Sequence, residues 1–236
     1  MTSISGLPGS VYSYYRAREA LSTAASSTAD QKTQDPGTTT RTETTTKPFA
    51  DVAAEARTAL DAGYVKLGKV ATSHTTNEQW RKTVGLGDMD RRSLYAVASN
   101  EGGLFSEAES EAARIEMARR AAEVMMKGVR PGSSPDSTNY KAMLDYYDAA
   151  SAEEKDSFEW AEGRASAEFL YETRIETEGG IAEQVQSNSD VSSLIVEGWR
   201  QLSATQDSSK RIQEMSAYRL ALEHWSELSN GRNSID

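Results

Sequence analysis

Beyond Pro48, apolar residues recur at steps of three and four, and the strict alternation of a half-buried strand is nearly absent. That spacing returns each apolar residue to one side of an α-helix, so it predicts an all-α chain. Phe49, Val52, Ala56, Ala59 and Leu60, then Tyr64 and Leu67, predict a first helix opening behind Pro48, a residue suited to a first helical turn. Trp80 and Val84 predict a short helical turn that ends at Gly85-Leu86-Gly87. Asp88 is the expected cap of a helix from Met89 to Ser99. Ser106 and Glu109 have the spacing of a capping box and open a helix to about Lys127, with Ala112, Ala113, Met117 and Ala121 on a broad face of small residues.

The later segments read the same way. A helix is expected from Tyr140 to Ala150, and a second capping-box pattern, Ser151 with Glu154, opens a long helix to about Thr177. Two apolar stripes remain: Val191, Leu194, Ile195, Trp199 and Leu202, then Ile212, Met215, Tyr218, Leu222, Trp225 and Leu228. The long helix carries two stripes, one with Phe158, Ala165 and Phe169, the other with Trp160, Ala167 and Tyr171. A helix apolar on two sides is either central to a core or packed on a core and on a partner. Residues 48–236 are thus expected to form an irregular bundle of about six to seven helices.

Composition separates the first 47 residues from the rest. Of the first 50 residues 18 are Ser or Thr, and Thr38 to Lys47 is the low-complexity run TTTRTETTTK. So little apolar surface cannot offset the entropy of ordering, and a mostly disordered arm is expected, with a short helix over residues 11–25 (VYSYYRAREALSTAA). In being rich in Ser and Thr and poor in acids, the arm resembles the N-terminal signals of type III and flagellar export. The resemblance is one of composition, without a motif. It implies secretion without a cleavable Sec signal.

Charge and residue inventory narrow the chemistry. The first 50 residues hold five basic and four acidic side chains and the remainder holds 21 basic and 32 acidic ones, so the net charge of -10 lies in the remainder. An acidic body repels phosphate backbones and anionic lipid, so no nucleic-acid partner is expected. The absence of cysteine excludes disulfides, thiolate catalysis and Cys-ligated metals. No apolar run has the length of a membrane span and no Sec signal pattern is present, so a cytoplasmic location is the simple expectation. Of the two histidines, His74 sits in a polar stretch and His224 on the last stripe, and neither belongs to a metal or nucleophile motif. No enzyme and no cofactor are expected.

The stretch SNEGGLFSEAE, Ser99 to Glu109, resembles a degenerate EF-hand loop. With Gly103 at position 6, Phe105, Ser106 and Glu109 fall at positions 8, 9 and 12, and Asn100 at position 3, while Ala98 and Gly102 leave positions 1 and 5 without side-chain oxygens. The resemblance implies Asn100, Glu107 and Glu109 as metal ligands. Helix punctuation accounts for more of the same letters, since Asn and Gly suit the left-handed residues that end a helix. Arg91 and Arg92 near a helix start oppose the macrodipole and are candidates for holding a partner, although pairing with Asp88 and Asp90 also accounts for them. Tyr12, Tyr14, Tyr15, Trp160 and Tyr171 complete the candidate partner-binding set. Helices without catalytic motifs lead to a non-enzymatic interaction module with a protein partner.

Overall fold

The structure, a computed structural model, describes residues 47–72 and 74–232. The expected arm, its helix over 11–25 with Tyr12, Tyr14 and Tyr15, and the export resemblance all fall outside these residues. Among the described residues there are nine α-helices and no strand, seven of the helices being eight residues or longer. They are α1 (Phe49–Leu67), α2 (Asn77–Gln79), α3 (Arg91–Ala98), α4 (Glu107–Met125), α5 (Ser137–Asp148), α6 (Ala152–Lys155), α7 (Phe158–Thr177), α8 (Asp190–Thr205) and α9 (Ser216–Arg232). A π-helical turn, Trp80–Val84, continues α2.

Pro48 caps α1 as its extended backbone conformation requires, and α1 closes on Gly68 in the left-handed region. The start of α3 differs from expectation. Leu86–Asp88 forms a 3-10 turn that buries Leu86, and Met89 is extended, so a helix cannot begin before Asp90. Asp90, not Asp88, caps α3 by accepting a hydrogen bond from the Ser93 amide at 2.7 Å. The capping box of Ser106 and Glu109 forms as expected at the head of α4. Helix α5 starts before Tyr140, because Asp136 and Asn139 make a reciprocal capping box of their own.

The long helix expected from Ser151 is broken into α6 and α7. Ser151 accepts from the Glu154 amide at 3.3 Å, but the Glu154 carboxylate turns away to Arg91, so that box is half made. The chain turns at Asp156, and Ser157 caps α7 by accepting from the Trp160 amide at 3.1 Å. The last stripe is also revised. Met215, Tyr218 and Ala221 are buried, whereas Leu222 and Leu228 are 40 % and 48 % exposed.

The core has two principal bodies. Leu60, Val84, Leu94, Val97 and Phe105 fill the first, between α1, the π turn, α3 and the head of α4. Ala165, Ile195, Val196, Trp199 and Tyr218 fill the second, among α7, α8 and α9. A smaller cluster of Met125, Met143, Leu144, Ala167 and Tyr171 couples α4, α5 and α7. Each fully buried Leu or Ile contributes about 1.5–3 kcal/mol relative to exposure. Helix α7 is buried on all sides over most of its length, including Trp160, Arg164, Ala165, Ala167 and Glu168, so its two stripes mark a central helix.

Candidate groove between the two helical bodies

Where α3 and α4 of the first body face α5 and α7, the surface opens into a groove of about 330 Å³. Its origin is a mismatch of side-chain size. Helix α4 offers Met117, Ala118 and Ala121 to the gap, while the opposite wall carries Tyr146, Tyr147 and Trp160. Alanines on one side cannot reach aromatic rings on the other, and the space between stays open. Tyr95 of α3 also lines the groove, and its ring stacks on Phe49 with centroids 5.9 Å apart.

One wall is held by a charged crosslink. The Arg91 guanidinium forks onto Glu154 with Nε–Oε2 2.8 Å and Nη2–Oε1 2.7 Å, and it also donates to the Tyr146 carbonyl. Its carbon lies 3.8 Å from the centre of the Tyr146 ring. Arg92 forks onto Glu153 and donates to the Lys47 carbonyl at 2.8 Å. The two arginines are therefore matched by glutamates of α6, and not by Asp88 and Asp90. The Arg92 hydrogen bond holds the Glu153 carboxyl down to about 2.

The rim and walls keep polar groups that can meet a ligand. Glu159 is exposed at the rim and has no ion-pair partner among the described residues. Arg114 is half exposed, in loose contact with Glu111 at 3.3 Å. Burial pushes the Tyr95, Tyr146 and Tyr147 hydroxyls above the usual phenol range, so they stay protonated, and able to donate, across neutral pH. The groove can desolvate an apolar or aromatic group and orient it with a few hydrogen bonds. Neither histidine lines it: His74 lies exposed in the turn before α2, and His224 is partly buried on α9.

The expected partner-binding residues scatter. Arg91 and Trp160 line the groove, Trp160 with its indole donating to the Tyr147 carbonyl at 2.8 Å. Arg92, also on α3, turns instead to Lys47 and Phe49 at the start of α1. Tyr171 is buried in the cluster that couples α4, α5 and α7. Tyr95, Met117 and Tyr146 are not among the partner-binding residues expected from the sequence, because they lie on three different helices and only tertiary packing brings them together.

The SNEGG loop is a corner between α3 and α4. Asn100, Gly102 and Gly103 all take positive φ, at 55°, 63° and 68°, and the Asn100 side-chain Oδ1 accepts from the Phe105 amide at 2.8 Å. Glu109 is buried and turned toward α1. One of its oxygens takes Arg57 at 2.7 Å and the Tyr64 hydroxyl, and the other takes the Ser106 amide at 2.6 Å and hydroxyl at 2.9 Å. Burial alone raises its pKa, but the hydrogen bonds from Tyr64, Ser106 and Arg57 outweigh burial and hold the carboxyl below the usual range. Glu107 is exposed, and among the described residues no three acidic or histidine side chains converge as a metal site. Of the ligand set implied by the EF-hand resemblance, Glu109 is thus engaged by Arg57, Tyr64 and Ser106, Asn100 by the Phe105 amide, and Glu107 is exposed.

No family model matches the sequence, and no curated protein or solved structure matches it either. Among the described residues no helix is long and apolar enough to cross a membrane.

Proposed function

We propose that this chain is a non-enzymatic helical interaction module whose groove takes an apolar, aromatic-bearing segment of a protein partner. The observation that carries this reading is the groove itself, preformed between two packed bodies, walled by tyrosines and alanines and kept open by the Arg91–Glu154 crosslink. Aromatic side chains supply much of the energy of protein association when they fill such a site, and the rim charges of Arg114 and Glu159 supply orientation.

A peptide library selected against the full chain tests it. Binders are expected to carry Tyr, Trp or Leu anchors, and Ala118→Trp, which fills the groove, is expected to weaken them by at least about tenfold. Binders indifferent to Ala118→Trp, in a variant with an unchanged unfolding transition, would remove the groove from this role.

A further inference from the structure

Lys47 and Phe49 pack against α3, one of the helices that line the groove. Lys47 is fixed there by two contacts, its carbonyl to Arg92 at 2.8 Å and its ammonium to Glu55 at 2.6 Å. Phe49 lies against Tyr95, which lines the groove, and the Arg92 guanidinium lies 5.6 Å from the centre of the Phe49 ring. Lys47 thus touches α3, the helix that lines the site the proposed function assigns to a partner.

The preceding 46 residues contain one segment whose chemistry fits that site. Residues 11–25 carry Tyr12, Tyr14, Tyr15 and Leu21, with Arg16 and Arg18 against the single acid Glu19. The tyrosines match the aromatic and alanine walls, and one arginine matches Glu159, since the groove's own cations are already engaged, Arg91 by Glu154 and Arg114 by Glu111. The 21 residues between Ala25 and Lys47 can reach at most about 70 Å, ample for any point of a groove lined by the helix that Lys47 touches. A tether of that order presents its segment at an effective concentration in the millimolar range, so even weak complementarity gives occupancy.

We infer that residues 11–25 of the same chain occupy the groove and compete there with the external partner. This rests on the groove being a binding site. It makes the arm a built-in competitor, and partner affinity for the full chain falls by the fraction of time the groove is filled.

The chain has no cysteine, so single thiols can be placed without background. In the full chain, Ser13→Cys with Ser99→Cys puts one thiol among the arm tyrosines and one on the groove wall, and a short bis-maleimide reads their proximity by intact mass. Crosslinking within one chain is expected, slowed at least about tenfold by Tyr12→Ser/Tyr14→Ser/Tyr15→Ser and, separately, by Ala118→Trp. A rate that neither change alters overturns the inference, and so does crosslinking found only between copies, which would make a second chain the occupant. If selected peptides remain sensitive to Ala118→Trp while the crosslink does not, only the self-occupancy falls. If neither is sensitive, the groove reading falls with it.

Discussion

Glu109 shows how one residue can satisfy two readings of a sequence and be used for only one. Its spacing from Ser106 marks a helix start, and its place at the end of SNEGGLFSEAE resembles the last ligand of a calcium loop. The folded chain spends both oxygens on Ser106, Arg57 and Tyr64. Its removal strands donors on two helices. Glu109→Ala is expected to cost about 2–3 kcal/mol in urea unfolding, less than the 3–5 typical of a fully buried pair, because Arg57 keeps Asp61 and reaches solvent. The same geometry predicts that calcium titrated into the full chain produces no saturable heat in calorimetry. A saturable signal abolished by Glu109→Gln would show that the loop opens to bind after all.

At the scale of elements, most helices were legible because a helix needs only local information: apolar residues on one side and a capping side chain at the start. Where expectation and structure part, a longer-range contact redirected a local signal. Asp88 and Asp90 are both plausible caps by spacing, and burial of Leu86 in a 3-10 turn decides between them. Asp90→Ala is expected to lower stability by about 1 kcal/mol, and Asp88→Ala by much less, in parallel denaturation curves. Equal effects would mean that α3 begins earlier than its hydrogen bonds indicate. The break between α6 and α7 has the same kind of cause. Glu154 leaves its capping role to pair with Arg91, a residue 63 positions earlier in the chain. Close packing also acts at this scale. A Cβ on Gly163 of α7 would lie 2.5 Å from the Tyr147 ring and hydroxyl, so α5 and α7 approach to a distance that only glycine permits.

Over the whole molecule, an acidic surface surrounds carboxylates whose environments pull in opposite directions. Hydrogen bonds from arginines hold Glu153 to about 2 and, against the larger opposing effect of burial, hold Glu116 below its usual range, as the Tyr64, Ser106 and Arg57 hydrogen bonds do for Glu109. These three stabilise the fold fully above the unfolded value of 4.5, and the contribution is lost as pH falls through their depressed values. Burial raises Glu162, whose carboxylate is met among the described residues only by the Tyr218 hydroxyl, and raises Glu168. Their native forms bind protons before the unfolded chain does, which adds stability as pH falls toward 4.5. Unfolding free energy is therefore expected to hold level or rise slightly from pH 7 to about 5, then fall steeply toward pH 2. Glu162→Gln should flatten the first limb and leave the second. A steady decline from pH 7 downward would show that the raised pair is not buried as described.

The amino-acid sequence by itself determined the helical class, the position of most helices and the contrast between the first 47 residues and the rest. Each follows from spacing or composition within a few turns of chain. Tertiary structure alone decided that α7 is central, that Arg91 and Arg92 are matched by glutamates of α6, and that Tyr95, Ala118 and Tyr146 face one groove. These are relations between residues distant in sequence, fixed by which helix surfaces bury best against each other, and no local pattern encodes them.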